Sequence, residues 1–414
     1  MGGSQLNAIE LAAAVRDLGN EVSVYGRPGV LGARIDELGL ELIESPEPGR
    51  RPSLSVVSDL RARLADGRFD VVHGYEWPPA LEARLACLGS RTACVATVMS
   101  MAVAPFIPRH VPLVVGTEQI GQVERSAGRR RVTVIEPPVD VTYNAPDVAS
   151  PEGFRLAHLV PEGLHVVCVT RLAQELKLEG LLTAISVVPR LGPHVILTVV
   201  GDGPARNTVR TAADKANGEA GRRAVILTGP LDDPRPAYAM ADVMLGMGGS
   251  ALRAMAFAKP LVVQGESGFW CTLTPASLPQ FRWTGWFGVG DGAGSGGDRL
   301  RGELLPLLAS PDRRRQLGAL SRQIVVDSFS LDAATPRQMD VYAAAVTQRA
   351  GQRFSPQEDG RAFAGIVQYK AARLAAHRRG RGTTDDFNAT PVAVHRGPPG
   401  AGHTRARSST NAKR

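Results

Sequence analysis

Apolar residues fall in short runs separated by longer stretches with helical spacing. Over residues 4–18, Leu6, Ile9, Leu11, Ala13, Ala14 and Leu18 recur near a 3.6-residue period, which predicts a helix with Ser4 as its N-cap. Gly19-Asn20 stops it, and Glu21–Gly26 reads as a strand. The alternation continues with helix 30–38, strand 40–45, helix 54–66 and a buried strand FDVVHG ending at His73-Gly74. Helix 78–88 and apolar runs at 94–100, 112–117 and 132–140 complete a first α/β unit. Residues 142–153 are polar and read as a linker. The pattern then restarts with strands at 165–172, 194–204, 224–231, 242–245 and 260–264, and with helices at 178–189, 205–217 and 235–241 between them. Strands alternating with helices predict parallel sheets covered on both faces, here two Rossmann-like halves with a cleft between the strand ends.

Residues 286–297, WFGVGDGAGSGG, read as a flexible surface loop, followed by helices at 299–309, 311–328 and 329–349. The expected divisions are an N-terminal domain over 1–148, a second over 149–328, a helix at 329–350 returning to the first, and a tail from 351 to 414. Residues 361–379 form a basic amphipathic pattern with Phe363, Ile366, Val367 and Leu374 on one side. A solvated helix in a largely disordered tail is one reading of it, and peripheral contact with a membrane surface is the other.

Charge and composition narrow the function. Residues 351–414 hold 12 Lys/Arg against 4 Asp/Glu, which accounts for the +8 of the whole chain. The basicity therefore belongs to the tail, and no specific nucleic-acid partner is expected. No apolar run approaches the roughly 18 residues of a membrane span, and the start lacks the features of a secretory signal. Cys87, Cys94, Cys168 and Cys271 are scattered without metal spacing and read as reduced thiols of a cytoplasmic protein.

The densest candidate chemistry lies at 242–260. A strand ends at Leu245, then Gly246-Met247-Gly248-Gly249-Ser250 turns into a helix-prone run from Ala251 to Phe257, closed by Lys259-Pro260. Such a strand–glycine–helix turn either offers free N–H groups to a phosphate or is a tight turn without a ligand. GDGPAR (201–206) lacks the third glycine of a dinucleotide fingerprint. There is neither an Asp-x-Asp nor a GxSxG, which disfavours metal-dependent GT-A transfer and serine hydrolysis.

Several segments in order resemble the retaining nucleotide-sugar glycosyltransferases of family 4. These are Gly2–Leu18, FDVVHG (69–74), VIEPPVD (134–140), TRLAQELKLEG (170–180), VVGDGPAR (199–206), LTGPLDD (227–233), YAMADVML (238–245) and the glycine turn with AMAFAKPLVV (254–263). The resemblance implies a GT-B fold and metal-independent transfer of a hexose from a nucleoside-diphosphate sugar to a hydroxyl acceptor, lipid-linked or polysaccharide among others. No cofactor beyond the donor is implied. It implies that Arg171 and Lys177 hold the diphosphate and that the backbone of Gly246, Met247, Gly248, Gly249, Ser250 and Ala251 contacts phosphate or sugar. It also implies that Gly2-Gly3 face the donor and Pro230-Leu231 seat the base; His73 and Glu76, just past a strand end, are expected on the acceptor side, with a packed histidine the alternative for His73. A lipid-linked acceptor would put the protein at the inner face of a membrane.

The chain departs from the family pattern. Leu245 and Arg253 stand where a Glu-x7-Glu pair is usual, Met99 stands for a common histidine, and Glu266, after the next strand, is the carboxylate expected as a substitute. The family also has a strand ahead of the Gly2-Gly3 turn, so the expectation is that this strand is missing and the native start lies upstream. A transferase, a non-catalytic or partner-dependent homologue, and a nucleotide-sugar epimerase of the same fold are the readings left open.

Overall fold

The computed structural model describes residues 3–348, 356–379 and Phe387. In the N-terminal half, α1 (Gly3–Asp17), β1 (Ser23–Gly26), α2 (Gly32–Glu37), β2 (Glu41–Glu44), α3 (Leu54–Leu64) and β3 (Val71–Tyr75) come first. Then follow α4 (Trp77–Ala86), β4 (Ala93–Val98), β5 (Leu113–Val115), α5 (Glu118–Ser126) and β6 (Val132–Val134). The C-terminal half starts with α6 (Glu152–Ala157), β7 (Leu164–Val169), α7 (Leu178–Val187), β8 (Val195–Val200), α8 (Arg206–Ala220) and β9 (Val225–Gly229). It continues through α9 (Arg235–Met240), β10 (Val243–Gly246), α10 (Gly249–Ala256), β11 (Leu261–Gln264), β12 (Trp270–Thr272), α11 (Leu278–Thr284), α12 (Gly296–Ala309) and α13 (Pro311–Phe329). The last two helices are α14 (Leu331–Thr347) and α15 (Pro356–Arg378).

The C-terminal sheet has the order β12-β11-β10-β7-β8-β9, parallel except for β12. Read from the other edge this is the doubly wound order of a dinucleotide-binding fold, with its switch point between β7 and β10. Its strands are apolar on both faces because both are covered. Val166 and Cys168 of β7 join one core with α7, α8 and α12, and Val167 joins the other with α10 and α13.

The N-terminal strands form two parallel sheets, β2-β1 and β3-β4-β5-β6. α1 packs against both β1 and β3, so the break falls between those strands. In the C-terminal sheet the corresponding place holds β7.

α1 begins at Gly3, so Ser4 lies inside the helix instead of capping it. Its buried face carries Asn7 and Glu10 beside Ile9, Leu11, Ala13 and Val15, while Leu18 is exposed. After α13, the chain crosses back, and Ala334, Val341 and Ala345 of α14 pack on Ala93 and Val95 of β4.

The 286–297 segment departs from the flexible loop expected of its composition. Trp286 and Phe287 are among the largest fully buried side chains. A Cβ at Gly288 would overlap the Phe269 ring, and one at Gly290 would overlap the Ser267 carbonyl. At Gly288, Gly290 and Gly296 glycine is required because two backbone segments lie against each other, whereas Gly292 and Gly294 meet nothing within 4 Å.

α15 is not a free solvated helix. Asp359 pairs with Arg84 at 3.0 Å, and Glu358 accepts the backbone N–H of His110 at 3.0 Å and faces the His110 ring at 2.8 Å. Ile366 and Tyr369 pack on the core of the N-terminal half, where Tyr369 meets Trp77, Phe106 and Phe387. The disorder expected of the remaining tail lies outside the described residues. No described helix is long and apolar enough to cross a membrane.

Candidate active site

The site is built at the switch point, where the chain leaves β7 and β10 in opposite directions and leaves a crevice. After β7, Thr170 donates its N–H to Val200 O, and Leu172 donates to Asp202 O at 3.0 Å. Gly201 and Gly203 fit beneath this turn only because they lack a Cβ, which would overlap the carbonyl oxygens of Thr170 and Leu172. The GDG sequence is therefore the seat of the Arg171 turn. Arg171 itself is exposed at the crevice.

Leu176 takes a left-handed φ of 63°, and Lys177 then stands at the N-cap of α7. The Lys177 ammonium is desolvated above Cys168 and lies within the field of Arg171, which together push its pKa down to about 8. Arg171 and Lys177 thus bring two positive charges to one crevice.

Behind them, Glu179 of α7 accepts the N–H groups of Ser267 and Gly268 at 3.0 and 2.6 Å. This holds the turn that follows β11. Within it Glu266 accepts the N–H of Leu176, and burial raises its carboxyl pKa. Glu266 therefore stands beside the residue that precedes Lys177.

On the β10 side, Gly248 is left-handed, with φ 53°, and caps α10. Its N–H donates to Trp286 O at 3.1 Å, the Met247 N–H donates to Ser250 Oγ at 3.3 Å, and the Ala251 N–H returns to Gly248 O at 3.0 Å. These three amides are spent inside the turn. The amides of Gly249 and Ser250, the first two of α10, have no acceptor among the described residues and remain for a ligand. Gly246 belongs to the β10–β11 ladder, so within 246–251 the amides of Gly249 and Ser250 are the ones left open among the described residues.

The N-terminal half closes over this turn. Met101 packs with Leu176, Met247 and Phe287, so an apolar cluster spans the cleft beside the crevice. Arg253 reaches Glu10 of α1 at 3.5 Å, and Arg34 stands 4.0 Å from Glu10 and 3.7 Å from Asp140. Glu10 is 2% exposed, and burial raises its pKa against the pull of Arg253 and Arg34. The cleft's linker side holds a cavity lined by Arg34, Asp140, Tyr143 and Arg235, away from Arg171.

The remaining expected residues are less uniform. Gly3 opens α1 with nothing within 4 Å of where a Cβ would stand, and Gly2 lies outside the described residues. Pro230 is exposed after β9, and Leu231 rests partly on the core. Glu76 holds a left-handed φ of 65° at the end of β3 and accepts from the Met99 N–H and Ser100 hydroxyl at 3.0 and 2.9 Å. It therefore shapes the loop that carries Met101.

His73 requires a correction. It lies within β3, not beyond its end, and its ring nitrogens face Tyr342 Oη at 2.7 Å and Thr97 Oγ1 at 2.6 Å. Both nitrogens are satisfied by the fold, and burial lowers the pKa to about 3. His73 is a neutral packing residue.

Glu10, Glu179 and Met101 were not singled out from the sequence. Glu10 alone carried a signal, a carboxylate on the apolar face of a predicted helix.

The fold and the crevice define a two-domain α/β protein of the GT-B type. A glycosyl transferase 4-like domain model matches residues 2–135, and a glycosyl transferases group 1 model matches residues 163–270. The chain thus carries both domains of a GT-B glycosyltransferase.

Solved structures agree on the fold. A glycosyltransferase from Rickettsia africae superposes with a TM-score of 0.66 at 15% identity, over 83% of this chain and 95% of its own. HepE of Anabaena, solved with UDP-glucose, gives 0.64 at 13% identity over 83% and 96%. Sucrose-phosphate synthase of Thermosynechococcus elongatus gives 0.63 at 16% identity over 83% and 93%. A search of curated proteins finds no match.

Proposed function

We propose that the protein transfers a sugar from a nucleoside-diphosphate donor to a hydroxyl acceptor with retention of anomeric configuration. The observation that carries this reading is the convergence, at one switch point, of Arg171, Lys177 and the open amides of Gly249 and Ser250. In the reaction the bond from the anomeric carbon to the diphosphate breaks and a bond to the acceptor oxygen forms on the same face. The acceptor proton passes to the departing phosphate oxygen, so the chemistry asks for no protein base. Arg171 and Lys177 offset the charge that grows on the diphosphate, and the α10 N-terminus adds its dipole. Glu266 is the carboxylate assigned to the sugar hydroxyls, in place of the absent pair. Pro230 and Leu231 flank the base, Gly3 faces the donor, and Glu76 positions the acceptor loop. The uridine diphosphate in the HepE complexes makes uridine the first base to test.

A second reading rests on Arg253. Its guanidinium is engaged with Glu10, at the position where the family carries an acid, which suits a homologue that binds a nucleotide without turning it over. A transfer assay separates the two. Nucleoside diphosphate released from its sugar in EDTA, with retained configuration at the anomeric carbon, supports the transferase. Nucleotide binding without release supports the second reading. An altered free nucleotide sugar would identify an epimerase.

A further inference from the structure

We propose that α15 is a docking surface for an anionic lipid bilayer and that it presents the acceptor rim of the N-terminal half to that bilayer. The argument starts from how the helix divides its charges. Its two acids, Glu358 and Asp359, face inward and are engaged by His110 and Arg84. From residue 360 to 379 the sequence holds five Lys/Arg and no acid. Phe363, Val367 and Leu374 are 70%, 53% and 55% exposed, and at 100° per residue they project within about 40° of one another. Lys370 and Arg378 are exposed along the edges of the same stripe. An apolar stripe edged by cations and free of anions is complementary to a bilayer with acidic headgroups.

The placement of the helix adds a direction. Asp359 meets Arg84, and ten residues later Tyr369 meets Trp77 with ring centroids 5.9 Å apart, so α15 runs antiparallel to α4. Trp77 begins α4 directly after the C-terminal end of β3, beside Glu76. The part of α15 beyond Tyr369, with Lys370, Leu374 and Arg378, therefore extends past the rim where the strand C-termini open into the cleft. A protein docked by this stripe would take its acceptor at the bilayer surface.

The test is co-sedimentation of the full chain with vesicles of mixed phosphatidylcholine and phosphatidylglycerol, with pure phosphatidylcholine as the comparison. It is independent of nucleotide binding, so it can fail while the transferase reading stands. Binding to the anionic vesicles is expected, weakened by salt. Lys370→Glu with Arg378→Glu should lower partitioning by about 25-fold or more, at roughly fivefold for each cation lost. Phe363→Ser, Val367→Ser and Leu374→Ser together should abolish it with the unfolding midpoint unchanged, since all three are exposed. No binding to anionic vesicles, or binding undiminished in either variant, overturns the proposal. So does a solution dimer lost in the serine variant without vesicle binding, which would assign the stripe to a second copy of the chain.

Discussion

Arg253 of α10 stands 3.5 Å from the carboxylate of Glu10 on α1, and this ion pair joins the two halves of the protein across the cleft. Arg34 flanks the same carboxylate at 4.0 Å. A buried carboxylate between two guanidiniums is stable only while all three remain. Glu10→Gln is expected to destabilise the protein by about 2–4 kcal/mol, because it takes the anion from the partly buried Arg253, while Arg34 keeps Glu37 and Asp140. Arg253→Glu should cost at least as much, and Glu10→Arg with Arg253→Glu should recover part of the loss. Urea unfolding of the wild type, Glu10→Arg, Arg253→Glu and the double variant measures the coupling, with Glu10→Gln alongside. Additive losses would show that the pair is not coupled.

Lys177 gives the site a pH dependence. Its pKa of about 8 lies well below that of a free lysine, so the ammonium begins to lose its proton just above neutrality. Donor affinity should therefore be constant below pH 7 and fall by up to tenfold per unit above about pH 8. Binding at pH 8 should take up a fraction of a proton, visible by calorimetry in buffers of different ionisation enthalpy. For the free protein the sign is opposite. The unfolded chain holds the proton up to its ordinary pKa and the native state does not, so this group's contribution to stability rises with pH above about 8. Lys177→Arg should bind across the whole range and flatten both effects.

The two glycines beneath the Arg171 turn should not tolerate alanine. At Gly201 the φ of 138° and the overlap with Thr170 act together. Gly201→Ala is expected to cost about 2 kcal/mol or more and to displace the Arg171 turn. Donor affinity should fall in the folded variant, whereas Gly218→Ala, which meets nothing within 4 Å, should leave it unchanged. Thermal unfolding with and without nucleotide reads both quantities.

His73 should behave as a structural residue. With a native pKa of about 3 it stays neutral while the unfolded chain protonates near 6.5, so stability should fall as the pH drops below about 6.5. His73→Gln should lessen that acid slope. Tyr342→Phe should cost about 1–3 kcal/mol by leaving an imidazole nitrogen unpartnered. Acid titrations of unfolding free energy test the pair.

The alternation of apolar runs and helical stretches made the two parallel-sheet halves legible. The same was true of the turns after β7 and β10, where glycines and cations cluster at strand ends. Contacts between distant segments were not legible. Glu10 and Arg253 are 243 positions apart, and neither pattern nor spacing links them. Gly288 and Gly290 carried the composition of a surface loop because sequence does not distinguish glycine chosen for freedom from glycine chosen for close approach. His73 looked functional because a histidine near a strand end is polar, and the Tyr342 that satisfies it arrives from a helix 269 positions later. The acids of α15 lay ahead of the helical pattern read at 361–379, and only their pairing with Arg84 and His110 shows which face of the helix turns outward.

The most direct test of the central claim is calorimetric titration of uridine diphosphate and UDP-glucose, with EDTA present, into the wild-type protein and into Arg171→Ala and Lys177→Ala. Saturable one-site binding to the wild type, weakened about tenfold to a hundredfold in each variant, is the predicted result, since each removes a charge-assisted contact to the diphosphate. The guanosine and adenosine counterparts extend the panel if uridine is not the base. Absence of binding by every nucleoside diphosphate, or equal binding by wild type and both variants, would contradict the account.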